Sequence, residues 1–196
     1  MARRPIDSAL KKISQRANPI DCALPCSRSD APMQTRLVAY EALNAVQTQQ
    51  VGAIEVHPEQ LPFCGDMYCA LNTLLVNPSP GIKGFALLAD DVPVAFLLLK
   101  CPPCLPHWAD AHSATLHALQ VDRSQQGRGF GKACLQALPA AALQAWPQIK
   151  ALELSVDTHN VAAMGLYLGL GWVDRGEAYK GRVGYERRLS RGLEPQ

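Results

Sequence analysis

The sequence lacks an excess of charge of either sign. Charged residues make up only 18% of its 196 residues, and 19 Lys and Arg nearly balance 17 Asp and Glu. A typical protein carries about 25% charged residues. Because proteins that bind nucleic acid usually carry clustered positive charge, this balance argues against nucleic acid as a partner. A local phosphate site remains compatible with it, since backbone amides can bind an anion without net charge.

A long apolar run is also absent. The longest continuous candidate, residues 94–99, has only the length of a strand, whereas a helix that spans a membrane needs about 20 apolar residues. Near the N-terminus, Asp7, Lys11 and Lys12 interrupt any apolar signal region. We therefore expect no membrane partner and a cytoplasmic location.

The cysteines form neither a disulfide framework nor a convincing metal site. Their number, seven, is odd, and a secreted disulfide scaffold rarely leaves one cysteine over. Cys101 and Cys104, followed by His107 and His112, superficially resemble zinc ligands, but a second regular pair is missing. We therefore expect reduced cysteines and no bound metal.

The chain divides into a short appendage and one larger domain. Residues 1–31 combine clustered Arg and Lys with several prolines, and their apolar spacing predicts a short helix in a partly flexible segment. Residues 32–196 have the length of a single domain. The sequence leaves open whether the chain forms a homodimer.

Apolar periodicity predicts a mixed α/β (α+β) arrangement in the larger domain. The predicted strands are 35–40, 84–89, 92–99, 115–121 and 151–156, with a closing hairpin of 172–173 and 183–189, and the predicted helices are 41–49, 65–75, 130–145 and 160–168. Asp90 and Asp91 predict an acidic turn between two of the strands. Pro139 predicts a kink or an early stop in the longest helix.

Three alternating glycines, Gly127, Gly129 and Gly131, lie between a predicted strand and a predicted helix. Such a loop can direct several backbone N–H groups at one point, and the helix N-terminus adds partial positive charge. Arg128 and Lys132 could supplement this anion site. Neither the Walker A nor the Rossmann spacing fits. The alternative is a glycine-rich turn that only reverses the chain.

The segment from Gln126 to Gly131 resembles the Q-x-x-G-x-G/A signature of the GNAT superfamily of acyl-CoA-dependent N-acyltransferases. A second pattern of that family is matched by Leu154–Val156, Asn160, Leu166 with Tyr167, and Gly169–Trp172. The resemblance covers about residues 84–175. It implies a mostly antiparallel mixed sheet of six or seven strands flanked by helices.

The resemblance implies acetyl-CoA as co-substrate. Its pyrophosphate would lie on the amides of Gln126, Gly127, Arg128, Gly129, Phe130, Gly131 and Lys132, and its pantetheine along a bulged strand at Leu119, Gln120 and Val121. An N–H freed by the bulge would polarise the thioester carbonyl. Asn160 matches a position that contacts the cofactor. It could equally cap a helix, and both roles can hold.

Two residues are candidates for catalysis. Tyr167 matches the family tyrosine that protonates the departing CoA thiolate, although a purely packing role is the alternative. His117 lies where the family often has a glutamate, and an imidazole with an unperturbed pKa of about 6.5 suits proton removal through water. A histidine without chemical importance is the alternative there. Cys134 lies on an apolar helix stripe, so we do not expect it to act as a nucleophile.

The expected reaction is direct attack of a primary amine on acetyl-CoA in a ternary complex, with a small molecule as acceptor. Val56–Gln60 and Phe63 resemble a short segment of diamine and spermine acetyltransferases, which slightly favours a small amine. Two alternatives remain open. The acceptor could be a protein N-terminus or lysine, or the chain could be a non-catalytic module that binds acyl-CoA.

Overall fold

The computed structural model of the chain describes residues 33–76, 78–181 and 183–193. Its strands are β1 (Thr35–Ala39), β2 (Ile82–Ala89), β3 (Val92–Lys100), β4 (Ser113–Val121), β5 (Ala151–Asp157), β6 (Val173–Lys180) and β7 (Tyr185–Gly192). Its helices are α1 (Ala45–Gly52), α2 (Leu61–Cys64), α3 (Met67–Leu75), α4 (Phe130–Ala145) and α5 (Val161–Gly169). The appendage predicted over residues 1–31 lies outside the described residues and stays a prediction.

The seven described strands form one sheet in the order β1-β2-β3-β4-β5-β7-β6. Every neighbouring pair is antiparallel except β4 and β5, which run parallel. The predicted mixed, mostly antiparallel sheet is thereby confirmed. No helix in the described part of the chain is long and apolar enough to cross a membrane.

The central strand β3 is buried on both faces because helices cover both sides of the sheet. Leu97 and Leu99 pack into a cluster that includes the apolar stripe of α4, whereas Phe96 and Leu98 pack into a second cluster with residues of α1 and α3. Successive residues of a strand point to opposite faces, so one apolar run supplies both clusters.

Several predicted elements start later than expected, and the largest difference is at the first helix. The first helix was expected over 41–49, but α1 begins at Ala45. Asn44 and Gln47 form a reciprocal capping box there, which satisfies the first free amides of the helix. In the closing hairpin, β6 extends from Val173 to Lys180 and the second strand begins at Tyr185. The turn at Asp90 and Asp91 forms as predicted.

The early stop at Pro139 is wrong, since α4 continues through this residue to Ala145. Proline has no N–H, so the carbonyl of Leu135 loses its donor within the helix. Arg191 on β7 donates to that carbonyl instead, at 3.5 Å. Leu135, Leu138 and Ala142 on the helix are fully buried. Their burial on the sheet outweighs a cost of about 3 kcal/mol for an internal proline.

Strand β4 has two irregularities in its pairing with its neighbours. β4 and β5 pair over just three residues each, Ser113–Thr115 with Ala151–Glu153, and then separate. Farther along, the register with β3 moves from Leu98 opposite His117 to Phe96 opposite Gln120, so β4 contains one extra residue. Ala118 in this bulge has a φ of 48°, in the left-handed region. The bulge lies one or two residues before the expected position.

Candidate functional site

A cleft of about 820 Å³ opens where β4 and β5 separate. The second half of β4 and the end of β5 form its walls, and the glycine loop and α5 close one end. Residues of α2, Gly181 and Val183 between β6 and β7, and parts of β6 and β7 line the rest of the cleft, and we call this part of the lining the acceptor end. A cavity of this volume has the size of a site for a small organic molecule.

The glycine loop presents a row of unused backbone donors to this cleft. The N–H groups from Gln126 to Lys132 donate to no acceptor in the described part of the chain, and the first bonded amide is that of Ala133, to Gly129 O at 3.0 Å. Gly127 and Gly129 have φ values of 75° and 85°, which only glycine adopts at little cost. The amides and the dipole of the 16-residue helix α4 together favour an anion.

Two side chains of the loop hold its shape. Gln126 Nε2 donates to Val121 O at 3.0 Å and to Gln60 Oε1 at 2.8 Å, so this amide ties the loop to the end of β4. Arg128 pairs with Gln125, and its guanidinium lies 5.1 Å from the centre of the Phe130 ring. Arg128 does not line the cleft, whereas Lys132 does. The loop therefore relies on backbone amides and one lysine to attract an anion.

The bulge gives the middle of the cleft an unusual backbone. Ala118 and Leu119 have no partner residue on β3, and the described part of β5 offers none either. Leu119 and Val121 line the cleft, but Gln120 does not. The Gln120 side chain is buried, with both amide atoms unpartnered among the described residues. Gln120, which was expected to contact the cofactor, is therefore not part of the cleft lining.

Tyr167 of α5 lines the cleft although it is only 8% exposed. Its ring packs against Trp172 with 5.8 Å between ring centres, and its hydroxyl makes no hydrogen bond within the described residues. Burial raises the pKa of this phenol well above its usual value, and the thiols of Cys64 and Cys134 raise it further. The hydroxyl is therefore fully protonated and can act as a donor.

His117 of β4 also lines the cleft, but it differs from the expected base. Burial, followed by the charge of Lys100, lowers the pKa of the imidazole to about 4. Its Nε2 lies 2.8 Å from Thr115 Oγ1, and the Thr115 hydroxyl donates to Lys100 O at 3.4 Å. This network assigns the proton to Nε2 and leaves Nδ1 as the acceptor. The imidazole is neutral at pH 7, and it is a weaker base than a free histidine.

Asn160 lies at the N-terminus of α5, where it lines the cleft. Its Oδ1 accepts from Ala163 N at 3.2 Å, so the capping role is present. Cys134, in contrast, is fully buried in α4, and burial raises the pKa of its thiol to about 12. Such a thiol is a poor nucleophile at neutral pH. Among the described residues, no group of three or more His, Cys, Asp or Glu is arranged to hold a metal.

The acceptor end contains residues that the sequence did not single out. Asp157 and Glu186 line it, together with Cys64 and Tyr179. Phe63 also lines it, and the short segment around this residue was the only sequence signal for this region. The two acidic residues come from β5 and β7, strands that are neighbours in the sheet but separated in the chain by α5 and β6.

Comparisons with known proteins identify the family to which the chain is similar. The family model described as the acetyltransferase (GNAT) family matches residues 41–172. The uncharacterized N-acetyltransferase YbbJ of Bacillus subtilis is 27% identical over 150 residues, which cover 70% of this chain and 94% of YbbJ.

Two solved structures show the same fold. Spermidine N-acetyltransferase from Vibrio cholerae, in complex with CoA and spermine, superposes with a TM-score of 0.60 at 15% identity, over 82% of this chain and 96% of that one. The ribosomal-protein-S18-alanine N-acetyltransferase from Escherichia coli superposes with a TM-score of 0.55 at 19% identity, over 83% of this chain and 96% of that one.

Proposed function

Because the chain belongs to the acetyltransferase (GNAT) family and is an acyltransferase enzyme, we propose that it transfers an acetyl group from acetyl-CoA to the primary amine of a small molecule. The reaction is direct attack in a ternary complex, in the cytoplasm. The observation that carries the proposal is the row of free amides from Gln126 to Lys132 at the head of α4, opening into the cleft.

These amides bind the pyrophosphate of acetyl-CoA. A diphosphate accepts several hydrogen bonds at once, and the positive end of the α4 dipole lies at the same place. Lys132, which lines the cleft, adds a full positive charge. Gln126 supports the binding indirectly, because its amide holds the loop against β4.

The pantetheine arm lies between the separated strands. The exposed edge of β4 at Leu119 and Val121 can pair with its amides as a further strand would. An amide freed by the bulge at Ala118 and Leu119 donates to the thioester oxygen as negative charge develops there. One donor of this kind typically contributes about 2.7–4 kcal/mol to the stabilisation of a transition state.

We assign the proton transfers to Tyr167 and His117, which both line the cleft. Tyr167, held protonated by burial, donates a proton to the departing thiolate. His117 accepts the proton of the attacking amine, through water, at Nδ1. Because its pKa is about 4, His117 is in the accepting form throughout the neutral range, but it holds the proton only briefly.

The test combines a binding assay with a turnover assay. We expect calorimetry to detect acetyl-CoA binding, and we expect amines to release free CoA thiol from acetyl-CoA. Gly129→Asp places a negative charge at the phosphate position, and Gly129→Asn is the matched neutral control, since asparagine tolerates a positive φ. The aspartate variant should lose binding and the asparagine variant should retain most of it.

Three results would contradict the proposal. Equal affinity of both Gly129 variants for acetyl-CoA would show that the phosphates do not bind at the glycine loop. Binding without thiol release for any amine or peptide would indicate a non-catalytic module. Thiol release with peptides alone would assign the enzyme to protein acetylation.

A further inference from the structure

We propose that Glu186 selects the acceptor by binding a second positive charge on it, so that the enzyme prefers diamines over monoamines. This inference rests on the proposed acetyl transfer to a small amine. Glu186 would act as a specificity-determining residue at the acceptor end, where it lines the same cleft as the glycine loop.

The two acidic side chains of the acceptor end lie side by side. Glu186 on β7 is directly opposite Asp157 on β5, and both line the cleft. Residues that face each other across antiparallel strands have Cβ atoms about 4.5–5.5 Å apart. Two negative charges at this separation repel each other unless each is compensated.

Within the described part of the chain, the Asp157 carboxylate is compensated and the Glu186 carboxylate is not. Asp157 Oδ1 accepts from the backbone N–H of His159 at 2.8 Å, and the His159 ring nitrogen Nδ1 also lies at 2.8 Å. With the backbone of Gly184, these contacts hold the pKa of Asp157 below its usual value. The Glu186 carboxylate, in contrast, has no hydrogen bond or ion pair among the residues that the structure describes.

The turn between β6 and β7 holds the Glu186 carboxylate at the cleft. A Cβ added to Gly181 would lie only 2.5 Å from Glu186 Oε1, so the carboxylate packs directly against this glycine. Gly181 N donates to Gly184 O at 2.7 Å, which closes the turn. Lys180 lines the same end, but it makes no ion pair with Glu186.

An ammonium group suits this environment. It supplies a positive charge that no described residue pairs with Glu186, and it relieves the repulsion from Asp157. Tyr179, directly opposite Glu186 on β6, and Phe63 line the same end, and their rings can cover the carbon chain of the acceptor. A hydrogen bond to a charged group typically changes affinity by about tenfold to a hundredfold.

The experiment compares butylamine with diaminobutane, which differ only by the second amino group. With saturating acetyl-CoA, we expect the wild type to show a lower KM for diaminobutane. Glu186→Gln should raise that KM about tenfold to a hundredfold, while the KM for butylamine and both kcat values change by about twofold or less. Gly181→Ala, which displaces the carboxylate without removing it, should change the KM for diaminobutane in the same direction.

Glu177→Gln is the matched control, because Glu177 is exposed on β6 and does not line the cleft. It should leave the ratio of the two KM values unchanged. An unchanged ratio in Glu186→Gln, with both amines still acetylated, would overturn the role of Glu186 and leave the proposed function intact. Acetyl-CoA binding without acetylation of either amine by the wild type would overturn the proposed function, and this inference with it.

Discussion

The partly buried, neutral imidazole of His117 makes the stability of the protein depend on pH in a way that can be measured. Its ordinary pKa of 6.5 falls to about 4 in the folded protein. Below pH 6.5 the unfolded chain therefore takes up a proton at this residue that the folded chain refuses, and the free energy of unfolding falls as pH falls. The loss is complete only below pH 4.

The size of the effect follows from the two pKa values. One unit of pKa shift corresponds to about 1.4 kcal/mol, so the full loss is about 3 kcal/mol, of which about 2 kcal/mol is already present at pH 5. At pH 7 the contribution is negligible. The variant His117→Gln removes the titrating group, and its amide can still donate to Thr115 as Nε2 does in the wild type.

Urea unfolding at pH 7 and pH 5 measures the difference. The free energy of unfolding of the wild type should fall by about 2 kcal/mol more than that of His117→Gln between these pH values. Other titrating groups contribute equally to both proteins and cancel in the comparison. Parallel pH dependence would refute the reasoning, because it would mean that the imidazole keeps its ordinary pKa in the folded protein.

Three further predictions concern catalysis and packing. Tyr167→Phe should lower kcat by about a hundredfold or more, while the dissociation constant for acetyl-CoA stays nearly unchanged. An unchanged kcat would show that Tyr167 only packs against its neighbours. Between pH 8 and pH 6 the wild type and His117→Gln should show the same pH dependence of kcat/KM, since His117 does not titrate there. A fall in kcat/KM below about pH 6.5 that is present only in the wild type would contradict this prediction. Arg191→Met should lower the free energy of unfolding by about 1 kcal/mol. The loss should be smaller in a Pro139→Ala background, because the restored N–H of residue 139 can donate to the Leu135 carbonyl. Equal losses in both backgrounds would show that Arg191 does not replace the missing donor.

The features that the sequence predicted well are those encoded by a few neighbouring residues. The alternating glycines, placed between a strand and a helix, predicted a loop of free amides, because the required backbone conformation is local to Gly127 and Gly129. The β2–β3 hairpin followed from its acidic turn in the same way. The capping box is equally local, since Asn44 and Gln47 stand three residues apart in the sequence, and this spacing marks the start of α1.

Distant residues decided two points that local rules left open, although the predicted helix 130–145 has the observed bounds. Pro139 satisfied the rule for ending a helix, but the rule considers only the helix itself. The burial of α4 against the sheet and a donor from β7 decided the outcome. The candidate base was affected similarly. His117 was assigned an ordinary pKa, and burial of the strand on which it lies lowered this pKa to about 4.

By itself, the sequence determined the family and the glycine loop with its free amides, because short-range backbone requirements depend on adjacent residues. The tertiary structure alone decided the separation of β4 from β5, the proton affinity of His117 and the meeting of Glu186 with Asp157. Each of these depends on which strands become neighbours and on how much water they exclude. Such pairings bring together side chains that are far apart in the chain, and no local pattern records them.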